Sequence, residues 1–239
     1  MLKTLKIFAG LMLCASLASS CMRIRINVDP TDSIVSFGKS VRATGEIVEK
    51  TVEFNNDYFA IEVRNAADIV FVQDDTCYAE VSARESAMDL LEMIVDDGRL
   101  LIRNKNNVSV SNGKMRIVLH SHSISGFEVF GACDFDSDCM TTDGDFELSI
   151  SGAGDVEIKK MEAASLNVSV KGAGDISISD VACTGNVGVD ILGAGDITLG
   201  GYCNDANVSI TGGGDIDIRS LDIRGQFTKH VAGGGDIRR

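Results

Sequence analysis

A four-residue motif, Gly-x-x-Asp, recurs at nearly constant spacing through the second half of this 239-residue chain. Its six copies end at Asp134, Asp155, Asp175, Asp196, Asp215 and Asp236. The intervals between successive aspartates are 21, 20, 21, 19 and 21 residues. A period near 20 residues is typical of solenoids, in which each repeat stacks on the one before it. The spacing therefore predicts a repetitive, elongated fold.

Apolar and polar residues alternate on both sides of each motif. Val156 and Ile158 follow Asp155, and Leu148 and Ile150 precede it, with polar residues between them. A period of two indicates strands that bury one face, and β-branched residues dominate the buried positions. No helical segment of about ten residues fits between motifs, which excludes leucine-rich and helical repeats. The pattern predicts an all-β, β-helical solenoid with two or more short strands in each coil.

The motif residues themselves are predicted to form a structural turn ladder. Glycine would supply positive φ angles at the corner between two strands, and each aspartate would accept hydrogen bonds from corner N–H groups. Stacked aspartates repel one another, so backbone hydrogen bonds or bound cations must relieve the charge. The predicted ladder comprises Gly152, Gly154, Asp155, Gly172, Gly174, Asp175, Gly193, Gly195, Asp196, Gly212, Gly214, Asp215, Gly233, Gly235 and Asp236.

The first half of the chain is also rich in β-type patterns but is less regular. Strands are predicted at residues 59–63, 69–72, 100–103 and 115–119. The tetrad at residues 65–68 is a degenerate copy of the motif, and residues 86–95 are expected to form a short helix or a helical turn. No linker interrupts the pattern, so residues 41–239 are predicted to form one domain.

The N-terminal residues have the pattern of an export signal. Lys3 and Lys6 precede the apolar run of residues 7–17, and small residues then lead to Cys21. This arrangement resembles a bacterial lipoprotein signal, in which residues 1–20 are removed and Cys21 is acylated. An ordinary secretory signal or a retained helix are the alternatives. Residues 21–40 are expected to form a tether between the lipid and the domain.

Three features together resemble a known bacterial family, the head-GIN domain of auto-transporter adhesins. They are the segment 66–73, the segment 94–102 and the Gly-x-Gly-Asp ladder. The resemblance covers about residues 42–239 and implies a right-handed parallel β-helix in an exported, often lipid-anchored protein. It implies no catalytic residues. Cys133 departs from the pattern because it stands where later motifs have glycine.

Other candidate sites have simpler explanations. An EF-hand-like spacing is present at Asp134, Asp136, Asp138 and Asp145. However, Cys139 stands where a calcium loop requires glycine, and no helices flank the segment. An acidic solvated stripe is therefore predicted. His120 and His122 are predicted to be solvated residues on one strand face. The five cysteines after Cys21 contain no C-x-x-C pair and no zinc-finger spacing, so neither a metal nor a cofactor is predicted.

Two of those cysteines, Cys183 and Cys203, follow successive motifs at almost the same distance. Ala163 and Ile223 hold the corresponding places in the neighbouring repeats. We expect an inward column in which the two cysteines are stacked free thiols, with a disulfide as the alternative.

The net charge of −13 argues against nucleic acid as a partner, since a polyphosphate requires a basic surface. We therefore expect a non-enzymatic envelope lipoprotein, anchored to the outer membrane on its periplasmic or exposed side, that binds an unknown protein or glycan in adhesion. A structural scaffold without ligand is one alternative, and a polysaccharide-active β-helix enzyme is another. The C-terminal end could mediate self-association, unless Arg238 and Arg239 prevent it.

Overall fold

The computed structural model describes residues 39–239, and the predicted signal peptide, Cys21 and nearly all of the tether lie outside this range. The described part is all-β apart from a single helical turn, α1 (Glu85–Met88), and a 3₁₀ turn at Lys105–Asn107. Among these residues no helix has the length and hydropathy needed to cross a membrane. The strands are β1 (Ser40–Arg42), β2 (Ile47–Glu53), β3 (Ala60–Val63), β4 (Ala66–Gln73), β5 (Tyr78–Arg84), β6 (Leu91–Asp96), β7 (Arg99–Asn104), β8 (Ser109–Ser111), β9 (Arg116–Ser121), β10 (Gly126–Val129), β11 (Ala132–Thr141), β12 (Phe146–Ile150), β13 (Val156–Ala163), β14 (Leu166–Val170), β15 (Ile176–Cys183), β16 (Asn186–Ile191), β17 (Ile197–Cys203), β18 (Asp205–Gly212), β19 (Ile216–Ile223), β20 (Phe227–Gly233) and β21 (Ile237–Arg238).

The strands form two large open sheets and one small pair, and most of the pairing is parallel. The ten-stranded sheet has the order β2-β5-β9-β4-β11-β13-β15-β17-β19-β21, and the nine-stranded sheet has the order β20-β18-β16-β14-β12-β10-β3-β7-β6. Strands β1 and β8 form the third sheet. From β10 onward the chain alternates between the two large sheets, so each repeat adds one strand to each of them.

Equivalent apolar residues of successive repeats lie side by side in the core. Val156 pairs with Ile176, which pairs with Ile197, and all three are almost completely buried. The other sheet repeats this stacking with Val168 beside Val189. Burying each such side chain contributes roughly 1.5–3 kcal/mol, and the in-register columns let every repeat use the same contacts. The alternation in the sequence thus becomes a continuous apolar interior.

The 19-residue repeat is two residues shorter than the 21-residue repeat before it, and one of the two is lost at a bend in β17. In β15 and β17 the pairing is Ile176 with Ile197 but, after an irregularity, Val181 with Gly201, so the later repeat has lost one residue there. Gly201 adopts a φ of +103°, a backbone conformation that residues with a Cβ rarely reach. A glycine at this bend therefore absorbs one missing residue, and the turn before Asp205, which pairs with Asn186, absorbs the other, so the core columns stay in register.

The first half adds antiparallel pairing to this scheme. Strand β5 lies between β2 and β9 and is antiparallel to both, while β6 and β7 form an antiparallel hairpin. The four strands predicted here are confirmed as β3, β4, β7 and β9. The expected helix at residues 86–95 is only the single turn α1, because Leu91 onward forms β6 and pairs with β7.

The C-terminal end of the nine-stranded sheet is the exposed strand β20. Lys229 pairs with Val208 and so occupies the place that buried valines fill in the preceding repeats. The Arg239 guanidinium lies 4.5 Å from the centre of the Phe227 ring. Charge on an edge strand discourages pairing with another chain.

Candidate functional site

The motif aspartates are joined to one another by hydrogen bonds between successive repeats. In each of these links, which we call rungs, a carboxylate oxygen (Oδ1) of one aspartate accepts the backbone N–H of the aspartate one repeat later. The distances are 3.3 Å for Asp134 with Asp155, 3.2 Å for Asp155 with Asp175, and 2.9 Å for Asp175 with Asp196, Asp196 with Asp215 and Asp215 with Asp236. Bonds to an ionised acceptor are stronger than neutral ones, so each rung offsets part of the repulsion between neighbouring carboxylates.

The ladder begins and ends with basic side chains. Asp68, the equivalent of Asp134 in the preceding coil, forms an ion pair with Lys114 at 2.8 Å. At the other end, Arg238 donates a hydrogen bond to the second carboxylate oxygen of Asp215 at 2.6 Å. Positive charge thus lies at both ends of an acidic column on the surface.

The ladder glycines are required mainly for close approach between coils rather than for positive φ. Only Gly154, Gly212 and Gly233 of the ten have positive φ, so our conformational explanation is wrong for the other seven. A Cβ on Gly174 would instead overlap the carbonyl oxygen of Gly154, and each of the other ladder glycines has an equivalent clash with a backbone carbonyl oxygen. Gly213, at a middle position, has open space around it.

The cysteine column has the predicted arrangement in the structure. Ala163 pairs with Cys183, and Cys203 pairs with Ile223. Both cysteines are buried free thiols. Burial, together with a smaller contribution from the nearby Cys183, raises the pKa of the Cys203 thiol to about 11. Burial likewise raises the pKa of Cys133, whereas Cys139 is exposed.

The residues with EF-hand spacing do not form a calcium loop. Asp134, Asp136 and Asp138 project outward from β11, and Asp145 lies beyond the end of that strand. Asp138 forms an ion pair with Lys159 at 2.7 Å. Burial and the neighbouring Glu157 raise the pKa of Asp136. The three aspartates form an outward acidic stripe on the ten-stranded sheet.

His120 and His122 have different surroundings and do not act as a pair. His120 stacks on Tyr78, with ring centres 4.1 Å apart, and its Nδ1 lies 3.1 Å from the carboxylate of Asp74. This contact lowers the pKa of Asp74. The buried Nε2 of His120 has no hydrogen-bond partner among the described residues. His120 is therefore a largely packed residue, in contrast to the solvated residue that we predicted.

His122 instead lies beside Cys77 and Asp57. The Nδ1 atom of His122 is 3.7 Å from Cys77 Sγ, and one ligand atom from each of the three residues lies within 4.8 Å of the other two. Asp57 follows β2, Cys77 precedes β5 and His122 follows β9. Because β5 is antiparallel to both β2 and β9, these three loops emerge at the same sheet edge. We call this group the Asp-Cys-His cluster.

The cluster lies in an open groove of about 540 Å³. Cys77 Sγ is also 3.5 Å from the hydroxyl of the buried Ser121. Behind it, the hydroxyl of Tyr58 donates to the carbonyl of His120 at 3.0 Å, and burial together with the nearby Cys77 raises the Tyr58 pKa. No local sequence pattern indicates this cluster, since its successive members are 20 and 45 residues apart.

A family model described as "Putative auto-transporter adhesin, head GIN domain" matches residues 57–238. The chain belongs to the head-GIN domain family. This match confirms the family resemblance found in the sequence, and it spans most of the domain described above. Among curated proteins, none matches the chain.

Solved structures share the head-GIN fold at low sequence identity. A "putative adhesin" from Parabacteroides distasonis ATCC 8503 has a TM-score of 0.68 at 21% identity, covering 84% of this chain and 99% of its own. A "putative adhesin" from Bacteroides fragilis NCTC 9343 has a TM-score of 0.65 at 19% identity, covering 83% and 99%. A "Putative lipid binding protein" from Parabacteroides distasonis ATCC 8503 has a TM-score of 0.57 at 19% identity, covering 84% and 99%. At these identities the likeness establishes the fold.

Proposed function

We propose that this head-GIN protein is a non-enzymatic binding protein of the bacterial cell envelope that acts in adhesion to a protein or glycan. The observation that carries the proposal is the family match over residues 57–238. The adhesin descriptions of two solved structures with the same fold support it. A rigid, repetitive frame suits this role, because a preorganised surface loses little conformational freedom when it binds.

We further propose that the repeats wind as a right-handed parallel β-helix. Strands β11, β13 and β15 are neighbours and parallel, and each connection between them passes through a strand of the other large sheet. Crossover connections between parallel strands are right-handed in about 98% of cases. The same crossover recurs in each later repeat, so one handedness would apply to the whole ladder.

The ligand surface that we favour is the outer face of the ten-stranded sheet beside the acidic stripe. It contains an open hollow of about 650 Å³, where apolar, carboxylate and basic groups meet. Mixed surfaces of this kind provide both contact area and directional hydrogen bonds. Its lining includes Val70, Val72, Gln73, Asp136, Cys139 and Lys159.

The adhesion proposal can be tested with immobilised glycans and host-surface proteins. The full-length chain carrying Cys21→Ser should bind at least one of them, and Asp136→Lys should weaken that binding. Asn207→Lys, at an exposed position of the nine-stranded sheet, is the matched control and should bind as strongly as the Cys21→Ser chain without it. Failure to retain any ligand on either panel would favour the scaffold alternative.

The anchoring part of the proposal concerns residues outside the described range. Cys21, after its short run of small residues, would be acylated once residues 1–20 are removed, and residues 21–40 would tether the domain to the outer membrane. Cys21→Ser should move the protein from the membrane to the soluble periplasmic fraction. A variant that still sediments with carbonate-washed membranes would contradict lipid anchoring. Protease treatment of intact cells would then distinguish surface exposure from a periplasmic position.

A further inference from the structure

The Asp-Cys-His cluster combines three side chains that are common transition-metal ligands. A thiolate, an imidazole and a carboxylate together suit Zn²⁺, which accepts sulfur, nitrogen and oxygen donors. The donors come from three separate loops rather than from one acidic segment. Their meeting at one sheet edge follows from the antiparallel pairing of β5 with β2 and β9.

The distances agree with tetrahedral coordination. With Zn–S and Zn–N bonds of their usual lengths, a tetrahedral angle places sulfur and nitrogen about 3.6 Å apart. Cys77 Sγ and His122 Nδ1 are 3.7 Å apart. The longest separation within the cluster is below 4.8 Å, and the exposed side chains of Asp57 and His122 are free to close the remaining gap by small rotations.

The surroundings of the cluster also favour a cation. Glu53 and Asp75 line the same groove, and no lysine or arginine does so among the lining residues. Ser121 is held by its own hydrogen bond to the carbonyl of Tyr58 and lies 3.5 Å from Cys77 Sγ. Such a neighbour orients a thiolate ligand and strengthens metal binding, as outer-shell partners generally do.

We propose that Asp57, Cys77 and His122 bind one Zn²⁺ ion. Three protein ligands leave the fourth tetrahedral position open toward the groove, where water or a donor atom of a binding partner would complete the coordination. Zinc would tie the ends of β2 and β9 to the start of β5. This proposal is independent of the adhesion proposal, because the cluster lies outside the hollow on the ten-stranded sheet face.

The test uses the full-length chain with Cys21→Ser, kept under a non-thiol reductant. Calorimetric titration with zinc chloride should give one ion per chain. Co²⁺ substitution should give the thiolate-to-metal charge-transfer absorption that reports sulfur coordination. Adding Cys77→Ser should abolish this absorption and weaken zinc binding by more than about 100-fold, because loss of a ligand costs at least as much as loss of an outer-shell partner.

Matched controls separate this site from other thiols and histidines. Cys139→Ser and His230→Ala remove an exposed thiol and an exposed imidazole elsewhere, and both should leave stoichiometry and affinity unchanged. Asp57→Asn alters only an exposed side chain, so it tests the site even if Cys77→Ser folds poorly. It should weaken zinc binding. The proposal is wrong if the charge-transfer absorption is absent, persists in Cys77→Ser, or disappears in Cys139→Ser.

Discussion

The carboxylate of Asp196 accepts the backbone N–H of Asp215 at 2.9 Å, across the boundary between two successive repeats. The aspartate side chain therefore satisfies a backbone N–H group of the next coil rather than one in its own turn. The contact therefore links the folding of one repeat to the correct placement of its neighbour, and the same contact recurs at four other rungs.

The first prediction concerns this hydrogen bond. Asp196→Ala should lower the free energy of unfolding by about 1–3 kcal/mol, because the Asp215 N–H loses a charged acceptor. Asp196→Asn keeps an acceptor oxygen and removes one of the stacked negative charges, so it should lose less. Urea denaturation measures both, and Asp190→Ala, an exposed aspartate on β16, is the control. Equal losses for the alanine and asparagine variants would contradict the hydrogen-bond explanation.

The second prediction separates two glycines of one motif. Gly214→Ala should destabilise the domain by about 1–3 kcal/mol, because its Cβ would overlap the carbonyl oxygen of Gly195. Gly213→Ala should change stability by less than about 0.5 kcal/mol, since nothing lies near an added Cβ. Thermal and urea unfolding would compare them. Similar losses at both positions would mean that the close approach of coils is not the reason for glycine.

The third prediction concerns thiol reactivity. The pKa of Cys203 is raised to about 11, so its reactive thiolate is scarce at neutral pH and becomes abundant only as the pH rises through that value. Under native conditions iodoacetamide should modify the exposed Cys139 first and leave Cys183 and Cys203 unmodified. Peptide mass spectrometry without reductant checks this order. A disulfide between Cys183 and Cys203 would overturn our preference for stacked thiols.

The fourth prediction concerns the C-terminal edge. Lys229 occupies the position of a core valine on the exposed strand β20, so Lys229→Val should create an apolar end and promote self-association. Lys229→Glu keeps a charge there and should remain monomeric, as should the unmodified chain. Light scattering at high micromolar concentration measures the difference. An unmodified chain that already dimerises would instead favour self-association through the C-terminal end, and Ile237→Asp should then dissociate the dimer.

The repeated half of the fold was predictable because its information is local and redundant. Val156, Ile176 and Ile197 follow their motifs at the same distance, so any register that buries one of them buries all three. The first half lacked this redundancy. Leu91 to Val95 is compatible with a helix or a strand, and only its antiparallel pairing with β7 decides between them.

The sequence by itself determined the β-type of the chain, the repeat length, the inward columns and the family, since each depends on residue spacing that stacking then reproduces. Only the tertiary structure decided which N–H group each aspartate accepts and why seven ladder positions without positive φ require glycine. It also decided that Asp57, Cys77 and His122 meet. These features depend on contacts between segments that are 19 to 65 residues apart along the chain. Local spacing does not encode such contacts, because the pairing of whole strands is what brings their ends together.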